Sequence, residues 1–288
     1  MYHCYNPRKL LLLLSLDAVV ICLWLIGAAI GKSVFSAENT KEGVFLPVIM
    51  YHSITENVSG NYQVTPEALE ADFQYLQAAG YETVTIEELV AYTQGEGELP
   101  EHPVMVTFDD GFYNNLSLAL PLLEKYDMCA VVSIVGYYTE VTAVNDPHAD
   151  AYSYLTWEDV QVLLNSGRIE LGSHTYNLHS NTERAGCSIL YGESEDDYAA
   201  MLEEDLGMLQ TQSMKKTGTL PTAFAYPYGF ICKESIPVLK DLGFVCTFTC
   251  YERPNYITRN PDCLYGLDRY NRSSAYSTEE FFRTVLTP

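Results

Sequence analysis

From Leu46 onward, short apolar runs alternate with longer stretches whose apolar residues recur at helical spacing. Strands are predicted over 46–51, 104–108, 129–135, 169–172, 224–226 and 244–249. Helices are predicted over 65–79, 86–92, 115–126, 156–166, 194–213 and 234–242, with residues 180–193 read as a loop. The punctuation agrees with this pattern. Thr65, Pro66 and Glu67 offer a capping hydroxyl and then a proline in the first turn, and Gly80 stops the helix they open. Strand–helix alternation kept up over this length predicts one parallel α/β domain, and a barrel fits. In such folds the functional residues collect where strands run out at their carboxyl ends.

The first 32 residues stand apart. Arg8 and Lys9 precede an apolar run from Leu10 to Ile30, broken by Asp17 and followed by Lys32. As a helix at ~1.5 Å per residue the run spans roughly 31 Å, the thickness of a bilayer's hydrocarbon core. The expectation is a cytoplasmic N-terminus and membrane anchor over 1–32, a linker over 33–45 and a catalytic domain over 46–288. The basic residues before the run would put that domain outside the cell, on a single-pass anchor. A signal peptide is the competing reading, because Ala29-Ile30-Gly31 offers small residues for cleavage; residues 1–31 would then be lost and the protein secreted.

At 48% hydrophobic and 19% charged residues, the chain can bury a core and is not intrinsically disordered. Sixteen Lys and Arg against 38 Asp and Glu give a formal charge of -22. That charge argues against nucleic acid as a partner and against anionic membrane surfaces, both of which need basic patches. Six cysteines follow residue 32: Cys129, Cys187, Cys232, Cys246, Cys250 and Cys263. They lack zinc-ribbon spacing; an even number permits disulfides, and buried free thiols fit Cys246 and Cys250 equally well.

Three segments carry chemistry, each at the end of an apolar run. In Val104-Met105-Val106-Thr107-Phe108-Asp109-Asp110-Gly111 two adjacent carboxylates follow a strand. Facing one site without a cation, their repulsion would push one pKa far up; a metal ion removes the conflict by binding one and leaving the other as a base. Gly111 allows the sharp turn that brings both to one mouth. In Ser173-His174-Thr175-Tyr176-Asn177-Leu178-His179 two histidines stand five residues apart. On one helix they would point ~140° apart, so shared ligation requires a loop. Ala223-Phe224-Ala225-Tyr226-Pro227-Tyr228-Gly229 is a short strand with a turn behind it.

Thr107–Gly111, Ser173-His174-Thr175 with His179, and Tyr226–Gly229 occur in the order of the motifs of polysaccharide deacetylases, the NodB-homology group or carbohydrate esterase family four. Met50-Tyr51-His52-Ser53-Ile54 also resembles an early strand end of that family. The resemblance spans residues 46–275. It implies a distorted (β/α) barrel and a metal-dependent amidohydrolase that removes acetyl groups from N-acetylglucosamine units of an extracellular polysaccharide. It implies Asp110, His174 and His179 as ligands of one divalent ion, zinc first, with cobalt or nickel also suited to two imidazoles and a carboxylate. Asp109 is implied as the general base and the backbone N–H of Tyr228 as an oxyanion donor.

The departures from the family pattern are informative. The second histidine usually follows the first by four residues; five is similar to the branch acting on poly-β-1,6-N-acetylglucosamine, with peptidoglycan- or chitin-like glycans as the other candidates. The arginine that opens the third motif elsewhere is replaced by Ala225, and Arg269 is the candidate to orient Asp109 in its stead. No histidine follows His179 to serve as general acid, which leaves His52 for that role or for a structural hydrogen bond. Trp157, Tyr137, Tyr138, Tyr176 and Tyr228 are candidates for stacking on sugar rings. An inactive, membrane-tethered glycan-binding protein and a hydrolase of small amides are the alternatives.

Overall fold

Nine strands, all paired in parallel, make the central sheet: β1 (Val48–Tyr51), β2 (Glu82–Thr83), β3 (Pro103–Phe108), β4 (Ala130–Ile134), β5 (Ile169–Ser173), β6 (Ala223–Ala225), β7 (Cys246–Phe248), β8 (Tyr265–Leu267) and β9 (Tyr270–Asn271). Their order is β8-β7-β6-β5-β4-β3-β1-β9, with β2 beside β3. The helices are α1 (Pro66–Ala78), α2 (Ile86–Gln94), α3 (Leu120–Lys125), α4 (Trp157–Asn165), α5 (Glu195–Thr217), α6 (Ser235–Asp241) and α7 (Thr278–Val285). This computed structural model describes residues 42–145 and 147–287.

The inner strands, β1 and β3 to β7, are buried on both faces, as parallel strands covered by helices must be. All six residues of β3 are buried. Val104, Val106 and Phe108 pack in a cluster with Leu69 and Phe73 of α1, Leu123 of α3, Val160 of α4 and Phe282 of α7. Met105, one residue out of step, joins the opposite cluster with Leu89 of α2, Ala225 and Phe248. That two-residue alternation divides each strand between two apolar layers. A third cluster seats α5 through Tyr198, Leu202 and Leu206 against Phe224, Tyr226 and Phe244. Caps fix the helix starts. Thr65 accepts from the N–H of Ala68, Thr85 and Thr156 close capping boxes with Glu88 and Asp159, and Ser194 accepts from Asp197.

The sheet is a curled half-barrel, the distorted barrel expected but left open, since β8 and β9, at its two ends, form no ladder with each other. Yet only Asp268 and Arg269 separate them in sequence, so the curl brings the ends within a two-residue bridge. Neither end strand was read from the sequence, because two or three residues display no periodicity. The expected helix over 115–126 is broken: a π-turn at Asn115–Ala119 precedes α3, with the N–H of Leu120 bonded to the Asn115 carbonyl. Pro121 has no N–H to continue a regular ladder there. Among the described residues the first paired strand is Val44–Leu46, which runs antiparallel to Asn255–Ile257.

The single-pass membrane placement is corrected. Among the described residues no helix is long and apolar enough to cross a membrane. The longest, α5, has 23 residues but carries Glu195, Asp196, Asp197, Glu203, Glu204 and Asp205 as well as Lys215 and Lys216. The apolar run over 10–30, on which the anchor and the signal peptide were read, lies outside the described residues.

Candidate active site

The carboxyl ends of β1, β3, β5 and β6 open into one cavity of about 690 Å³. At the end of β3 the N–H of Asp109 donates to the Tyr51 carbonyl at 3.0 Å, and the chain then reverses through Asp110 and Gly111, at φ 70° and 71°. A Cβ on Gly111 would lie 2.9 Å from Cγ2 of Ile134, so only glycine fits this turn. At the end of β5 the His174 N–H donates to the Ile134 carbonyl at 2.9 Å. The imidazole Nδ1 donates to the Ala225 carbonyl at 2.7 Å, which fixes the tautomer and leaves Nε2 for the site. Thr175 follows at φ 74°, and the loop returns His179 beside His174 with ring centroids 4.8 Å apart.

Asp110 Oδ1 lies 3.3 Å from Nε2 of His179 and 3.6 Å from Nε2 of His174. One ligand atom from each of the three side chains falls within 4.8 Å of the others. Asp110 Oδ1 is buried and makes no hydrogen bond among the described residues. Burial, then the charge of Asp109, pushes the Asp110 pKa up to about 7. Burial also lowers His174 to about 3 and depresses His179, so both imidazoles are neutral, as ligation requires. An orphaned carboxylate oxygen facing two neutral imidazoles fits a divalent cation. Tyr138 and Tyr228 flank His179, the Tyr138 hydroxyl 3.5 Å from Nδ1 and the Tyr228 ring centroid 4.9 Å away.

Asp109 is held differently. Arg269 Nη1 donates to its Oδ1 and Nη2 to its Oδ2, each at 2.7 Å, with both side chains almost fully buried. Arg269 Nε donates to the Thr249 carbonyl at 2.9 Å, and Nη1 also reaches Thr107 Oγ1 at 3.2 Å. Burial would raise the Asp109 pKa, but the Arg269 charge, with His174 and the Arg269 hydrogen bonds, holds it well below the carboxylate range. Two neighbouring carboxyls are thus driven apart, one firmly ionised and one hungry for a cation.

His52 lines the same cavity, its ring 4.7 Å from that of Tyr62. Its Nδ1 is buried with no hydrogen-bond partner among the described residues, and burial lowers its pKa to about 4. Asn115 Nδ2 donates to the His52 carbonyl at 2.9 Å. Tyr228, at φ 58°, precedes Gly229, where a Cβ would sit 2.0 Å from Cys250 Sγ. Asp109, Asp110, His174, His179, His52, Tyr228 and Arg269 therefore all border one cavity. Trp157 does not join them: as the first residue of α4 it is buried in the core. The six cysteines from Cys129 to Cys263 carry free thiols.

Sequence reasoning missed Tyr154. It stacks on Phe112 at 5.0 Å and lies 4.5 Å from the ring of Tyr138. Burial, then the charge of Asp110, pushes its hydroxyl up to about 12. The one available signal was its position just before the cap of α4.

A curled parallel sheet with two carboxylates and two imidazoles converging at its carboxyl edge is the framework of a hydrolytic site on a parallel α/β scaffold. A family profile described as polysaccharide deacetylase matches residues 96–247, more than half of the chain, and the chain belongs to that family. The poly-beta-1,6-N-acetyl-D-glucosamine N-deacetylase of Escherichia coli (strain K12) is 26% identical over 260 residues, a match covering 83% of this chain and 38% of that relative. The chain thus spans well under half of that relative's length. A solved de-N-acetylase structure from Aggregatibacter actinomycetemcomitans superposes with a TM-score of 0.69 at 24% identity, covering 84% of this chain and 99% of that one. IcaB from Ammonifex degensii superposes at 0.65 with 25% identity, covering 80% and 92%.

Proposed function

We propose that this chain is a metal-dependent de-N-acetylase of an N-acetylglucosamine polymer, with poly-β-1,6-N-acetylglucosamine as the first substrate to test. The observation that carries the reading is Asp110 Oδ1 within 3.6 Å of both imidazole Nε2 atoms, beside an Asp109 clamped by arginine. The name of the Escherichia coli relative and the five-residue histidine spacing support the β-1,6 polymer. The cavity continues past Ser59, Gly60 and Gln63 to Asn271, which suits a polymer better than a closed pocket for a small amide.

In this reading Asp110, His174 and His179 hold one divalent ion, zinc by the chemistry of the donors, with cobalt or nickel also accepted. The ion supplies a Lewis acid that acidifies water and polarises the amide carbonyl. Asp109, kept ionised by Arg269, takes the proton of the attacking water on a carboxylate oxygen. Arg269 fixes the direction of that oxygen with two parallel hydrogen bonds. The backbone N–H of Tyr228, held in its left-handed turn, donates to the developing oxyanion. The proton that Asp109 has taken from water is the one available to the departing amine; His52, neutral with its pKa near 4, can carry it only by accepting it on one ring nitrogen as it gives up a proton from the other.

The test is acetate release by the purified chain from poly-β-1,6-N-acetylglucosamine, chitin oligomers and peptidoglycan, with and without a chelator. Chelator-sensitive release from at least one glycan is expected, fastest on the β-1,6 polymer. Absence of release from all three in zinc-loaded protein overturns the reading.

A further inference from the structure

The four residues between His174 and His179 form a loop, and each backbone N–H from His174 to Leu178 has an acceptor. His174 donates to the Ile134 carbonyl, Thr175 to Ser173 Oγ at 3.3 Å and Leu178 to Thr175 Oγ1 at 3.1 Å. The two at the crest, Tyr176 and Asn177, are met from a distant element by a single carboxylate. Tyr176 N–H donates to Asp205 Oδ1 at 2.7 Å and Asn177 N–H to Asp205 Oδ2 at 2.8 Å. Asp205 stands in α5, between Leu202 and Leu206, whose packing in the core fixes where its carboxylate reaches. Loop carbonyls are also taken up: Thr175 accepts from Gly136 at 3.0 Å and Tyr176 from Tyr137 at 2.8 Å.

The local chain does not choose this shape unaided. Thr175 is β-branched and sits at φ 74°, a conformation such a residue keeps only when its surroundings over-determine it. Two adjacent N–H groups converging on one carboxylate form an anion-holding concavity, and the charge-assisted bonds are stronger than neutral ones. A neutral Asn at position 205 would present an NH₂ group to one of the two donors. We propose that Asp205 is a positioning residue for the metal centre: by pinning the crest of the His174–His179 loop from α5 it sets the reach of His179 and thereby the affinity of the site for a divalent ion. This rests on the reading of Asp110, His174 and His179 as the ligand set.

The experiment is zinc affinity of the full chain by competition with a chromophoric chelator, for wild type, Asp205→Asn, Asp205→Glu and the exposed neighbour Glu204→Gln. Unfolding temperature is recorded for each metal-free chain. Loss of an outer partner of a ligand typically lowers metal affinity 10–100-fold, and that loss is expected for D205N. E204Q should equal wild type, and D205E, which keeps both acceptors, should lie between. At saturating zinc, D205N should recover kcat to within about threefold with KM unchanged, since the inference assigns Asp205 no contact with substrate. A D205N chain that binds zinc as tightly as wild type, whatever its unfolding temperature, overturns the inference. If D205N does not accumulate as folded protein, D205E decides: zinc binding weakened about threefold or more supports the inference, and unchanged binding overturns it. A wild-type chain that takes up no zinc overturns the site reading and this inference with it; zinc uptake by wild type beside a D205N of equal affinity overturns this inference alone.

Discussion

Arg269 closes a two-pronged hydrogen bond on Asp109 across 160 residues of sequence, at 2.7 Å on each prong. The arginine comes from the two-residue bridge between the ends of the sheet and the aspartate from the end of β3 near its middle. Removing one partner of a buried pair leaves an unpaired charge and costs about 3–5 kcal/mol. Arg269→Met should therefore lower unfolding free energy by about that amount at pH 7, read from urea titrations. Arg269→Lys should recover part of the stability but little of kcat, because an ammonium cannot hold both carboxylate oxygens. Equal activity in R269K and wild type would show that the direction of Asp109 does not matter.

The two neighbouring aspartates should separate cleanly by substitution. Asp110→Asn should lose bound zinc, measured by elemental analysis after dialysis. Asp109→Asn should retain one zinc while kcat falls roughly 10²–10⁴-fold, the range of a lost general base. Zinc lost in D109N but kept in D110N would exchange their roles.

Metal removal should be visible in stability as well as turnover. A ligand that binds only the folded state stabilises it by about 2.7 kcal/mol at 100 times its Kd. Zinc added to chelated protein should raise the unfolding temperature of wild type and leave that of D110N unchanged.

His52 sets an expectation for pH. Its folded pKa, near 4, lies below the ordinary 6.5 because the ring is buried. As pH falls below about 6.5 the unfolded chain takes up a proton that the folded chain refuses until about 4. The contribution is thus present above 6.5, declines between 6.5 and 4, and is spent below that. Since the ring borders an open cavity, the loss is of order 2 kcal/mol. Metal-free His52→Gln should show a shallower decline over the same window in urea titrations; parallel profiles would contradict the assignment.

Gly229→Ala tests the turn that presents Tyr228. The added methyl would fall 2.0 Å from Cys250 Sγ at a φ of 70°. Zinc content should be unchanged, and kcat should fall about tenfold or more as the N–H leaves its place. Wild-type turnover would remove that N–H from the mechanism.

The sequence made the strand ends legible because each pairs a buried run with residues that a core cannot tolerate: Asp109-Asp110, His174 and the Tyr226–Gly229 turn. Arg269 could be read because Ala225 had vacated the usual place of its arginine. Asp205 could not be read, since in α5 it is one acid among six and only the fold brings it to the histidine loop. Tyr154 and Asn115 were hidden likewise, and the strands at 265–267 and 270–271 exist by pairing rather than by propensity. That the distorted barrel stays open was not legible, because alternation reports layers and not whether the last strand meets the first.

The Asp268–Arg269 bridge bears on the order in which the molecule can be finished. During synthesis Asp109 leaves the ribosome 160 residues ahead of its counter-charge. The middle of the sheet can condense early, but it cannot bury an ionised Asp109 until the C-terminal stretch arrives to neutralise it. A nascent chain stopped short of residue 269 must keep that carboxylate wet or protonated, so the buried, ionised form of Asp109 waits on a residue made 160 positions later.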